Sequence, residues 1–485
     1  MPATVKPTER PARLSGRERL SLIVLLTAGF TLAVDFSILN VALPHIGHDV
    51  GIATGYLQWI STSYALCAAG FTLLFGRVSD LVGRKRLFLI GMVVLGVSSL
   101  CGGIAVEPVM LLAARVAQGT ATAMVTPAAL SLLTTNFPEG PARDRALGLN
   151  GALMAAGFTT GAILGGVLTD MLSWRWAFFI NVAVALVVLC IAPAVLRENR
   201  ADERPKIDLP GALTVTLGLV AIVYGATTAG QDGWISPIVW ISFAAAVVFL
   251  ILFWATERRV SQPLIVLSVL AKRHVAWGNI AGLLAFATET SLVFVLTLYF
   301  QDILGLSPLT AGLSFGVLGI GTVLGGLLGP RLIGRTDAKR AILIGFLVQA
   351  AATIPLAFAG TDRAWIVPLI ALTFLGGIAN LVAIVGYVVA STAGLPDQQQ
   401  GLATGLVTMS QQVGIALGTP IMSAIVISQA AHGLLPGIQT AVWVNGLLCL
   451  VAGVLVAAVL RLPGRAGASE ASEAVSEHER HPARA

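Results

Sequence analysis

Apolar residues dominate long stretches of this chain, and short polar clusters separate them at nearly regular intervals. Runs of about 20 apolar residues recur between residues 20 and 461. Each is long enough to cross the roughly 30 Å hydrocarbon layer of a bilayer as a helix rising about 1.5 Å per residue. The pattern predicts fourteen helices, at 20–44, 56–76, 87–106, 109–134, 145–170, 174–196, 208–229, 235–256, 275–301, 308–330, 340–360, 364–394, 399–429 and 438–461. Barrel strands are disfavoured, because the runs exceed the roughly 10 residues of a membrane strand and do not alternate.

The polar clusters orient these spans. Every Lys and Arg except Arg115, Arg175 and Arg363 falls in the N-terminal segment, an even-numbered loop or the C-terminal tail. That bias follows the positive-inside rule and puts both termini in the cytoplasm. Composition agrees: only 11% of the residues are charged, against roughly 25% in a soluble domain. The expected surroundings are therefore a lipid bilayer, with no nucleic acid partner. The Ala-, Gly- and Arg-rich composition points to the cytoplasmic membrane of a high-GC bacterium.

Several chemistries are disfavoured. The four cysteines sit singly in apolar runs, as inert buried thiols do. The six histidines lie at or beyond helix ends with no HExxH pattern, so no metal site is expected. No P-loop spacing is present, which disfavours ATP as the energy source. Neither a repeated filter nor a nucleophile–base constellation supports a channel or an enzyme.

The basic loop Gly76–Arg86 (GRVSDLVGRKR) follows the second span, and a weaker echo at Gly329–Arg340 follows the tenth. Each lies between the second and third helices of a six-helix block, as parallel repeats would place it. The expected organisation is a basic cytoplasmic tail (1–19), an N-terminal six-helix bundle (20–196) and two inserted helices with flanking cytoplasmic loops (197–274). A C-terminal six-helix bundle (275–461) and a disordered cytoplasmic tail (462–485) follow.

Three charges interrupt the apolar spans: Asp35, Arg115 and Glu289. A charge near the bilayer centre costs about 2.5–3.5 kcal/mol on insertion scales, so such residues are seldom idle. A carboxylate alternating between apolar and Arg-paired settings can load and release a proton. Asp35 is thus the candidate coupling group, Arg115 its tuner and Glu289 a second proton or cation-recognition site. The bland alternatives are a static ion pair between helices 1 and 4 and an inconsequential cavity carboxylate. Asn40, Trp59, Tyr64, Gln411, Phe294 and Tyr299 are candidates for a substrate cavity, or for packing.

Four motifs resemble those of the major facilitator superfamily, and within it the fourteen-helix drug:proton antiporters. They are Asp35-Phe-Ser-Ile-Leu-Asn40-Val-Ala-Leu-Pro44; the loop Gly76–Arg86; Arg115-Val-Ala-Gln118-Gly119; and Gly157-x-x-x-Gly161-Ala-x-x-Gly165-Gly166, followed by Ser173-Trp-Arg-Trp176 and Asn181. Ser37 stands where the family usually has Thr, and Ala162 where it has Pro. The resemblance implies an all-α fold of two six-helix bundles plus two inserted helices. It implies a monomeric transporter exporting small lipophilic, often cationic compounds by alternating access, driven by the proton gradient without a cofactor. It gives Gly76, Asp80, Gly83, Arg84 and Arg86 a latching role between the halves, against a bland reading as topogenic charge. Gly157, Gly161, Gly165 and Gly166 become a rocking contact, against simple close packing. An exporter dedicated to one endogenous metabolite or antibiotic, or an uptake symporter, remains open on the same scaffold.

Overall fold

The computed structural model describes residues 15–53, 56–136, 141–198, 208–260, 267–395 and 397–462, and no strand occurs among them. Fourteen long helices follow in order: α1 (Gly16–Val50), α2 (Gln58–Val82), α3 (Arg84–Gly103), α4 (Pro108–Asn136), α5 (Pro141–Met171), α6 (Trp176–Val195) and α7 (Leu209–Asp232). The chain continues with α8 (Pro237–Glu257), α9 (Arg273–Leu298), α10 (Pro308–Arg335), α11 (Ala338–Thr353), α12 (Ile366–Thr392), α13 (Asp397–Ser428) and α14 (Leu434–Val459). Among the described residues, twelve of them are long and apolar enough to cross a membrane, and α2 and α5 are not among the twelve.

Helix ends depart from the hydropathy pattern where capping chemistry decides them. Ser15 and Glu18 form a reciprocal capping box that starts α1 at Gly16, inside the segment expected as a tail. The same helix runs through Pro44 to Gly51, whose φ of 80° closes it in the left-handed region. Cys190, expected inside, is exposed on α6. The expected disordered tail lies outside the described residues, apart from Leu462.

The two halves repeat one packing plan. In the first, α1 packs on α5 and α6, α2 on α4, and α3 on α4 and α6; in the second, α9 packs on α13 and α14, α10 on α12, and α11 on α12 and α14. The repetition extends to single bonds. Lys85 Nζ donates to the Pro193 carbonyl at 2.7 Å, and Lys339 Nζ to that of Ala457 at 2.7 Å. Arg17 Nε donates to the Val195 carbonyl and Arg273 Nε to that of Val459, both at 3.0 Å. Between the halves, α7 rests on α2 and α13, while α8 packs chiefly on α7. The outer face of α8 exposes Trp240, Ile241, Val248, Ile251 and Trp254, a surface suited to lipid rather than water.

The halves meet through α5 with α10 and α2 with α13. At the end where α1 finishes, a single apolar core joins them. It includes Ile38, Leu43 and Ile46 from one side and Leu296, Phe300, Phe315 and Met422 from the other. At the end carrying the basic loops, α1, α3, α4 and α6 enclose one core and the second half encloses another. The larger apolar seal between the halves is thus at the far end, while a smaller cluster at the basic end packs Leu74 of α2 against Val275, Ala403 and Leu406 of the second half.

Candidate functional site

Asp35 on α1 and Arg115 on α4 come together although 80 residues separate them, and both are fully buried. Arg115 Nη1 lies 3.4 Å from Asp35 Oδ2 and donates to Gln118 Oε1 at 2.7 Å; its Nε donates to the Ile60 carbonyl at 2.9 Å. The guanidinium stacks 4.3 Å from the centre of the Tyr64 ring, whose hydroxyl pairs with that of Thr122. Gln118 Nε2 donates to Asp35 Oδ1 at 3.2 Å and to Ser99 Oγ at 2.8 Å, and Asn181 Nδ2 donates to Asp35 Oδ1 as well. Side chains of α4 and α6 thus meet one carboxylate of α1, with Ser99 of α3 behind Gln118.

Gly119 lets this happen. Its Cα packs against the Tyr64 carbonyl, so a side chain there would force α2 away from α4. The cluster is not fully satisfied: Arg115 Nη2 and Asn181 Oδ1 are buried without a partner. A buried charge network with open valences is poor glue, and is better suited to rearrangement. Gln118 and Asn181 stood in the sequence only as members of the motifs that carry the family resemblance, and Ser99 and the stacked role of Tyr64 carried no signal at all. Tyr64, a cavity candidate, instead lies beneath Arg115.

Glu289 is not part of this cluster. It sits on α9, partly buried, beside a gap lined also by Leu318, Gln349, Thr373, Gly376 and Asn380, with room for about one water-sized group. Around it, Gln349 Nε2 donates to Thr288 Oγ1, Asn380 Nδ2 to Gln349 Oε1, and Asn445 Nδ2 to the Thr288 carbonyl and Ser291 Oγ. Among the described residues, no hydrogen bond or ion pair reaches the Glu289 carboxyl.

The remaining candidates are distributed as follows. Asn40 accepts from Ser61 beside a narrow gap that Phe36, Thr290 and Ile415 also line, between the halves. Trp59 and Gln411 are half-buried, and Trp59 packs against the α2–α7–α13 cluster. Phe294 and Tyr299 belong to the far-end core. Gly83, at φ 108°, makes the turn between α2 and α3, where Glu198 accepts from the Lys85 amide at 3.2 Å. That contact lies within the first half. Gly76 and Arg84 are half-buried and Arg86 is exposed; the Asp80 side chain lies outside the described residues.

The glycines of α5 divide into two groups. Gly157, Gly161 and Gly165 abut the Phe30, Val34 and Ile38 carbonyls of α1, within one half, whereas Gly166 abuts Pro308 and Gly312 of α10, across the halves. The SWRW stretch ties α6 to the end of α1: Trp174 Nε1 donates to Asp49 at 2.9 Å, and Arg175 Nη1 lies 3.6 Å from the same carboxylate.

A family model described as Major Facilitator Superfamily matches residues 25–419, with a second, overlapping match at 278–483. The puromycin resistance protein pur8 of Streptomyces alboniger is 35% identical over 449 residues, covering 90% of this chain and 88% of that protein. The cephamycin export protein CmcT of Amycolatopsis lactamdurans is 36% identical, covering 83% and 84%. Among solved structures, a peptide transporter crystallised with sulfate superposes with a TM-score of 0.67 at 14% identity, covering 92% of this chain and 96% of its own.

Proposed function

Because the chain belongs to the major facilitator superfamily, a family of transporters rather than enzymes, we propose that it is a proton-coupled exporter of small lipophilic, often cationic compounds. It works by alternating access between its two six-helix halves, as a monomer with both termini in the cytoplasm of a bacterial cell. The observation that carries this reading is the buried cluster of Asp35, Arg115, Gln118 and Asn181 inside an otherwise apolar bundle. A charge held at that depth costs about 2.5–3.5 kcal/mol on insertion scales, so it is seldom retained without a function. Asp35 exchanges its partner Arg115 for a proton, and that exchange is linked to which end of the bundle is sealed. The far-end core that joins the halves corresponds to a state closed to the outside. Fourteen spans, with α2 and α5 completing the count, follow from the same reading, as does latching by the loop Gly76–Arg86 in the opposite state.

The name of the puromycin resistance relative supports efflux, and puromycin is a suitable first probe. Inverted vesicles containing the protein are acidified inside by respiration, and candidate compounds are added while the gradient is followed with a fluorescent dye. Release of the gradient by a transported compound, lost in Asp35→Asn, is the expected result. An Asp35→Asn protein whose transport still follows the pH gradient would remove Asp35 from the coupling role. A dedicated exporter of one metabolite or antibiotic is the second reading, favoured by the cephamycin export relative. It predicts a response to one compound in a broad panel.

A further inference from the structure

The gap beside Glu289 occupies the place in the second half that the Arg115 guanidinium fills in the first. Gly119 packs on the Tyr64 carbonyl, and Gly377 packs on the Leu318 carbonyl in the same manner, which aligns α4 with α12 and α2 with α10. Arg115 lies four residues before Gly119, and Thr373 four before Gly377; Gln118 and Gly376 immediately precede those glycines. The two long side chains that fill the first half are therefore a Thr and a Gly in the second. Leu318, the counterpart of the Tyr64 on which Arg115 stacks, lines the gap together with Thr373, Gly376 and Gly377. The acid has been kept on the first helix of each half, as Asp35 and Glu289, but the cation only once.

What remains is a set of acceptors without a donor. No cation or hydrogen bond reaches the Glu289 carboxyl among the described residues, and the buried Oδ1 of Asn380, which lines the same gap, also lacks a partner. The Asn380 amide nitrogen is already committed to the Ala285 carbonyl at 3.0 Å and to Gln349 Oε1 at 3.2 Å, so its oxygen is the atom left over. An apolar wall from Leu292, Leu318, Leu356 and Leu372 surrounds these acceptors and strengthens any charge interaction within.

We infer that the second half binds a water-sized cation between Glu289 and Asn380, where the first half places Arg115. This rests on the transporter reading and specifies the chemistry its cargo presents. The occupant is either the ammonium head of an organic compound or an alkali ion, which share charge, size and preference for oxygen ligands.

Purified full-length protein in detergent, titrated at fixed pH and ionic strength with methylammonium or Na⁺ against choline, tests this by thermal unfolding. A bound cation at ten times its Kd raises the folded-to-unfolded ratio about elevenfold. Protection by methylammonium, lost in Glu289→Gln, identifies a cargo head group; protection by Na⁺, likewise lost, identifies an alkali ion. Protection by neither, or protection that survives Glu289→Gln, overturns the inference. Thr373→Arg supplies a second test, because it restores the missing guanidinium. It should abolish cation protection while unfolding no earlier than wild type, whereas Thr373→Arg with Glu289→Gln should unfold earlier than Thr373→Met. A Thr373→Arg protein equally stable with and without Glu289 would also overturn it. Export in vesicles that continues without any cation protection separates failure of this inference from failure of the transporter reading.

Discussion

A single methyl group can distinguish the contact between the halves from the packing within one. A Cβ at residue 166 would come 2.5 Å from the Pro308 carbonyl oxygen, 3.1 Å from Gly312 Cα and 3.2 Å from Leu309 Cα. All three are backbone atoms that cannot rotate away, so Gly166→Ala must part α5 from α10 by about 0.9 Å to reach ordinary contact at 3.4 Å. Overpacking of this kind costs about 1–3 kcal/mol. The cost falls only on the conformation in which the far end is sealed, so the ratio of sealed to open protein shifts by roughly 5- to 150-fold. Gly161→Ala is the control. Its Cβ would meet the Val34 carbonyl at 2.7 Å and Ser37 Cβ at 2.9 Å, both on α1. That penalty burdens every conformation alike and appears as lost thermal stability. The readout is a spin-label distance between Val106→Cys and Asp362→Cys, exposed at the far end of opposite halves, with the four native cysteines replaced. A longer-distance population should grow in Gly166→Ala and not in Gly161→Ala. Identical distance distributions in a folded Gly166→Ala protein would refute the argument.

Three further outcomes follow from the same geometry. Asp35→Asn leaves the Arg115 charge buried with only its bonds to Ile60 and Gln118; this should cost about 3–5 kcal/mol of stability, and the Asp35→Asn, Arg115→Met double variant should recover most of it in thermal unfolding while proton-driven export stays lost. Gly119→Ala drives a methyl into the Tyr64 carbonyl; overpacking of about 1–3 kcal/mol should lower the unfolding temperature, and transport should fall with it because the ring under Arg115 moves. Trp174→Phe removes the bond to Asp49 at a partly exposed helix junction, for a loss of about 1 kcal/mol with export retained.

The helices were legible because the bilayer imposes a length and an apolarity that no loop satisfies. Their ends were not, because a capping box such as Ser15–Glu18 is made of polar residues that hydropathy treats as outside. Asp35 and Arg115 stood out by their cost in an apolar span, and an ion pair between helices 1 and 4 was one reading of them. The rest of their surroundings was harder to see. An amide such as Asn181 costs less to bury than a charge and attracts less notice, and Tyr64 could not be assigned to cavity or cluster without the direction of its side chain. The gap beside Glu289 was invisible for a different reason. It exists because Gly376 and Thr373 are small, and small residues in a membrane helix usually signal close packing.

One acid is sealed and the other left open because the two halves balance their charge differently. In the first half the charge of Asp35 is balanced from within by Arg115, so the cluster can remain buried whether or not cargo is present. Among the described residues, the second half offers no such balance at Glu289. A carboxylate held in apolar surroundings must be compensated or neutralised, because an isolated ion there costs far more than a hydrogen-bonded one. Compensation must then arrive from outside, as a cation or as a proton, and its arrival changes the net charge of that half alone. Coupling between the halves therefore has to pass through the surfaces they share: the Gly166–Gly312 crossing, the α2–α13 contact and the far-end core. If it does, Gly166→Ala should alter cation protection at Glu289 even though the two sites share no residue. A cation response unchanged by that substitution would mean that the second site works independently of which end is sealed.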